Sequence, residues 1–187
     1  MTRRKIVVGI TGASGAPYAR RLLAVLRGRD DVQLGVCVSR TAPEVWALEC
    51  GGDLREAVGA PVWGLSDYNA PFASGSAGWH AMVVVPCSMG TAARIAHGIS
   101  DTLLTRAADV MLKERRPLVV VPRETPLSLV HLENLTALAR AGAVVLPAMP
   151  SFYGKPATLD DALDTVVGRV MDHLGLSHDL LRRWGAP

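Results

Sequence analysis

The chain has 187 residues, 49% of them hydrophobic and 20% charged, with a formal net charge of +3. That length suits one domain, residues 1–187, with a single buried core. The small charge, with no aromatic residues interleaved among the basic ones, argues against nucleic acid as a partner. No stretch approaches the roughly 18 apolar residues of a membrane span, and the start lacks the apolar run of a signal peptide. The three cysteines, Cys37, Cys50 and Cys87, contain no C-x-x-C pair. Neither a disulfide framework nor a zinc site is therefore expected, and the expected location is the cytoplasm.

The first strong element is Lys5 to Gly15, K-I-V-V-G-I-T-G-A-S-G. Ile6, Val7, Val8 and Ile10 make the continuous apolar run of a strand buried on both faces. Thr11 to Gly15 then turns the chain into a helical pattern from Ala16 onward. Glycines at such a turn let a ligand approach the backbone, and the free N–H groups of the following helix favour a phosphate. A phosphorylated ligand is expected at this turn.

Val32 to Ser39 reads as a second strand, and Pro43 to Glu49 as a short helix stopped by Gly51-Gly52. Asp67 to Gly78, rich in Gly, Pro, Ser and Ala, reads as an irregular loop, functional or disordered. Ala81 to Pro86 is another apolar strand, followed by Cys87-Ser88-Met89-Gly90-Thr91 and a helix, which repeats the logic of the first turn. Asp101 is placed to cap a helix running to about Glu114. Pro117 to Pro122 is a strand, Val130 to Arg140 a helix, Ala143 to Leu146 the last core strand, and Leu159 to Leu174 a final amphipathic helix. Strands alternating with helices predict an α/β fold of three layers, Rossmann-like, with a parallel sheet flanked by helices.

Ligands of open α/β sheets bind beyond the carboxyl ends of the strands. Those ends carry Gly12-Ala13-Ser14, Ser39-Arg40, Ser88 to Thr91, Arg123-Glu124 and Phe152 to Lys155. The glycines read G-x-x-G-x-x-G, not the G-x-G-x-x-G of nicotinamide-binding domains, and no acid ends the second strand. Arg40 keeps an NADP-dependent reductase open, and a turn needed only for packing also remains possible. Arg106, Asp109 and Lys113 share a helix face, where a solvated ion-pair ladder is the simpler reading. Arg123 suits an ion pair with Glu124 or a clamp on phosphate, and Glu124 beside a phosphate suits proton transfer. The histidines show no metal-ligand spacing, and Ser14 lacks the G-x-S-x-G elbow of a hydrolase.

Four motifs together resemble the UbiX-type flavin prenyltransferase family: G-I-T-G-A-S-G-A, A-S-G-S at Ala73 to Ser76, P-C-S-M-G-T at Pro86 to Thr91, and the long block from Arg106 to Pro126. Pro150 to Tyr153 and Arg183 to Gly185 extend the likeness to nearly the whole chain. The resemblance implies a flavoprotein fold and transfer of a dimethylallyl group from dimethylallyl phosphate to N5 and C6 of reduced FMN, without metal. The product is the prenylated FMN cofactor of a separate UbiD-type decarboxylase. It implies FMN contacts from Gly12, Ala13, Ser14, Ser39, Ser88, Met89, Gly90, Thr91 and Arg123. Catalytic roles fall to Ser14, Lys113, Tyr68 and Glu124. Prenyl phosphate contacts fall to Tyr153, Arg169, Lys113, Glu124, Glu49 and Trp184, and to Arg106 from a neighbouring subunit of a homododecamer. Residues 176–187 are expected to pack on a neighbouring subunit or over the site. Competing readings are an NADP- or FMN-dependent oxidoreductase and a non-catalytic flavin-binding subunit of an aromatic-acid decarboxylase. The related cysteine decarboxylases carry P-A-S-A-N-T where this chain has Pro86 to Thr91, which sets them aside.

Overall fold

A computed structural model describes residues 3–181. Its centre is a six-stranded sheet ordered β3-β2-β1-β4-β5-β6, in which each neighbouring pair runs parallel. The strands are β1 (Arg4–Ile10), β2 (Val32–Val38), β3 (Val62–Trp63), β4 (Ala81–Cys87), β5 (Leu118–Pro122) and β6 (Val144–Val145). The helices are α1 (Ala16–Arg27), α2 (Ala42–Cys50), α3 (Leu54–Val58), α4 (Met89–Ala96), α5 (Leu103–Lys113), α6 (Leu129–Arg140) and α7 (Leu159–His173). This is the expected α/β architecture.

The alternation of side chains along β1 divides the core. Ile6, Val8 and Ile10 face a layer built from α1, α2, α3 and α7, including Leu22, Leu26, Trp46, Val166 and Val170. Val7 faces the opposite layer, with Met89 and Ile95 of α4, Leu103 and Met111 of α5 and Leu138 of α6. Both faces are apolar because helices cover both, which is why these strands read as continuous runs rather than alternating ones. A bidentate ion pair from Arg21 to Asp164, at 2.7 and 2.8 Å, ties α1 to α7.

Three local readings change. The stretch after Gly52 forms α3 and the edge strand β3, both too short to show a period. The helix expected to start on Asp101 is capped by Thr102, whose hydroxyl and that of Thr105 form a reciprocal capping box. The Asp67 to Gly78 loop is folded into the core: Phe72 is fully buried and meets Trp63 and Trp79 edge-on, at 5.1 and 5.3 Å between ring centroids. Residues 176–181 lie against α7 of their own chain. Leu176 joins the core there, and His178 Nε2 pairs with Asp172 at 3.1 Å.

Candidate functional site

The two turns expected to hold ligand are joined by one buried hydroxyl. Thr11 Oγ1 donates to the Pro86 carbonyl at 2.7 Å and accepts from the Ser88 backbone N–H at 2.8 Å. This fixes the end of β4 against the end of β1. Ser88 then caps α4, its hydroxyl accepting from the Thr91 N–H at 3.4 Å. Gly12 is required here for a steric reason, since a Cβ on it would collide with the Thr41 hydroxyl.

One cavity of about 290 Å³ opens on this side of the turn. Gly12, Ser39, Ser88 and Thr91 line it, and Met89 and Gly90 form the first turn of α4 beside it. It also takes in Arg40, Thr41, Arg94, Asp101, Thr102 and Thr105. Arg40 and Asp101 stand out in the sequence; Thr41 precedes α2, and Arg94, Thr102 and Thr105 are brought in by the α4–α5 corner. The Ser39 hydroxyl is buried with no hydrogen-bond partner, so it has donor and acceptor capacity to spare.

A second cavity, about 400 Å³, lies on the far side of the same turn. It gathers Ser14, Glu49 and Arg123 with Tyr18, Ala148 and Leu163. Glu49 reaches over from the end of α2 and accepts from the backbone N–H groups of Gly15 and Ala16, both at 2.8 Å. Burial raises the Glu49 pKa, but hydrogen bonds from Ser14, Gly15 and Ala16 and the Arg123 charge outweigh it and hold the carboxyl below its ordinary value. Burial pushes the Tyr18 phenol up, with Arg123 opposing. Glu49 thus occupies two of the N–H groups at the start of α1 that were expected to be free for a phosphate.

The remaining expected residues fall into separate groups. Glu124 follows Arg123 on the same rim, its carboxylate accepting from the Thr125 N–H at 3.1 Å. Tyr153 lines a third cavity with Ser151, Lys155, Asp161, Thr165 and Leu180. Ser151 N–H donates to Thr165 Oγ1 at 3.1 Å, which seats this loop on α7. Arg169 is one turn beyond Thr165 on the same helix face and pairs with Asp172 at 2.8 Å. Tyr68 is half-exposed on its loop, outside these three cavities. Arg106 donates to the Ala73 carbonyl at 3.1 Å and to Asp109 at 2.9 Å. Lys113 pairs with Glu114 at 2.7 Å. Because α5 ends there and β5 begins at Leu118, Lys113 lies by the amino ends of the strands, about 12 Å along the helix from Thr105 at the cavity. Trp184 lies outside the described residues.

Two other chemistries find no support among these groups. Burial pushes the Cys37 and Cys87 thiols up to about 12, so both stay protonated near neutral pH and are poor nucleophiles. Among the described residues no three His, Cys, Asp or Glu side chains cluster as metal ligands do.

The match to known proteins covers this whole arrangement. The Flavoprotein family model matches residues 1–171. The flavin prenyltransferase UbiX of Methanothermobacter thermautotrophicus is 47% identical over 184 residues, covering 97% of this chain and 95% of the relative. The chain belongs to the UbiX flavin prenyltransferases, within the Flavoprotein family. Two solved members of similar fold bear directly on the site. A dodecameric FMN-dependent UbiX-like decarboxylase from Escherichia coli O157:H7 is 44% identical, with a TM-score of 0.93 over 97% of this chain and all of that one. AnUbiX (PadA1), solved in complex with FMN and dimethylallyl pyrophosphate, is 42% identical, with a TM-score of 0.94 over 98% of both chains. UbiX family membership sets aside the NADP-dependent reductase left open by Arg40.

Proposed function

We propose that this chain joins a dimethylallyl group, taken from dimethylallyl phosphate, to N5 and C6 of reduced FMN. The observation that carries the proposal is the pair of cavities on either side of Gly12 to Gly15. One is lined by hydroxyls and guanidiniums, the other by Ser14, Glu49 and Arg123 with apolar walls. A flavin mononucleotide fits this division. The Gly12 cradle has no room for a Cβ, and the orphaned Ser39 hydroxyl faces a place for an oxygen-rich group. Ser39, Ser88, Met89, Gly90 and Thr91 would hold the phosphate end, and Gly12, Ala13, Ser14 and Arg123 the ring end. When bound, the reduced flavin supplies the nucleophilic nitrogen and ring carbon.

The chain's own residues handle charge and protons. Transfer breaks the allylic C–O bond, and the electron pair leaves with the phosphate. Arg123 and Arg169 would offset that charge from fixed positions, which is how an electrostatic site lowers a barrier. Ser14, held by Glu49, would orient the ring edge. Glu124 would pass the proton released at N5 to the departing phosphate. Tyr153, and Tyr68 in the loop expected to wall the pocket, would offer aromatic faces to the developing allyl cation.

Arg106 and Lys113 complete the cationic set from a neighbouring protomer of a homo-oligomer, a dodecamer as in the E. coli relative. The distance of Lys113 from the cavities of its own chain favours that arrangement. The product would pass to a UbiD-type decarboxylase. No helix among the described residues is long and apolar enough to cross a membrane, and the cytoplasm is the proposed location.

The test is anaerobic incubation of the protein with reduced FMN and dimethylallyl phosphate, followed by mass spectrometry of the released flavin. A flavin heavier by one isoprene unit is expected. Unmodified flavin from protein that binds FMN would leave only a flavin carrier.

A further inference from the structure

The cavity at the start of α4 contains a cation that none of the roles above uses. Arg94 sits on α4 one turn after Gly90, and its Nη1 donates to the Gly90 carbonyl at 3.2 Å. Its Nε donates to Asp101 Oδ2 at 3.4 Å, a long contact between two side chains that are each 50% exposed. Arg40 lines the same cavity after β2. We propose that Arg94, seconded by Arg40, makes this site select a phosphorylated flavin over riboflavin, with Asp101 holding the guanidinium in place until a phosphate replaces it. The inference rests on the flavin reading above.

Three observations carry it. Glu49 already fills the N–H groups of Gly15 and Ala16, which leaves the start of α4 as the open helix end for the flavin phosphate. There the Ser39 hydroxyl lacks a partner, and the hydroxyls of Ser88 and Thr91 cluster at the positive end of a helix. Finally, the bond that holds Arg94 is weak by its length and exposure. An ion pair of that kind exchanges readily for a dianion able to accept two parallel N–H bonds from one guanidinium.

The experiment compares equilibrium binding of FMN and of riboflavin, read by flavin fluorescence, in the full chain and in two variants. Arg94→Ala is expected to weaken FMN by about tenfold to a hundredfold, the effect of one lost hydrogen-bonded charge, and to leave riboflavin unchanged. Asp101→Asn frees the guanidinium and removes a charge facing the phosphate, so FMN should bind severalfold tighter. Equal losses for both flavins in Arg94→Ala would mean a structural role and overturn the inference, as would unchanged FMN binding. Weaker FMN binding in Asp101→Asn would overturn the exchange. A wild-type chain that binds neither flavin would instead overturn the function itself, so the two failures are distinct.

Discussion

Glu49 caps a helix to which it does not belong: its carboxylate, at the end of α2, accepts from the first N–H groups of α1 at Gly15 and Ala16, both at 2.8 Å. Gly15 sits at φ 120°, a backbone conformation that favours glycine, and its own residue offers no capping side chain. The carboxylate therefore does from a distance what a Ser or Asp usually does locally. Because its folded pKa is depressed, its contribution is fully present above the unfolded value of about 4.3. It is lost as pH falls through the lower folded value. Asp31, Glu114 and Asp161 are depressed as well, so the whole protein should weaken in acid. Glu49→Gln removes only its own share. Urea midpoints measured between about pH 5 and about pH 3 should fall less steeply in the variant than in the wild type. Parallel curves would show that this carboxylate adds nothing to folding.

Thr11 is the buried joint between the two ligand turns, and it is 2% exposed. Thr11→Val keeps the shape but leaves the Ser88 N–H without its partner, and the Pro86 carbonyl keeps only its bond from the Thr11 backbone N–H at 3.3 Å. Unsatisfied buried groups of this kind cost about 1–3 kcal/mol. The urea midpoint should drop accordingly, and Thr11→Ser, which restores the hydroxyl, should recover most of the loss. FMN affinity should fall in the valine variant beyond what the small loss of folded protein explains, because the Ser88 end of the cradle is no longer held. A valine variant with wild-type FMN affinity would separate the joint from the site.

The sheet was legible because parallel strands covered on both faces must be apolar throughout, and Ile6 to Ile10, Ala81 to Val85 and Leu118 to Val121 are. The rim followed from where those strands end. What local pattern could not reveal was any contact made across the fold. Glu49 lies 34 residues from Gly15, and nothing in A-L-E-C signals a cap for another helix. Tyr18 and Leu163 read as ordinary helical apolar positions, yet they wall the second cavity. Asp101 and Thr102 are both good caps by sequence, and only the reciprocal bond with Thr105 decides between them. The motif block from Arg106 to Pro126 reads as one unit in sequence, but the chain crosses the whole sheet within it. Arg123 and Glu124 therefore reach the rim while Lys113 does not.

That separation yields a prediction about assembly. If each site takes Glu124 from one protomer and Lys113 from another, the variants Lys113→Ala and Glu124→Gln fail for different reasons and complement each other. Each alone should show little or no prenyl transfer while still binding FMN. Dissociated, mixed in equal amounts and reassembled, they should recover activity at about a quarter of sites, the fraction that random assembly around a heterologous contact gives two intact contributors. Native mass spectrometry would verify that mixed oligomers had formed. Mixed oligomers without recovery would mean that both residues must come from the same chain. The roughly 12 Å of α5 between Thr105 at the cavity and Lys113 makes that outcome hard to reach without moving the helix.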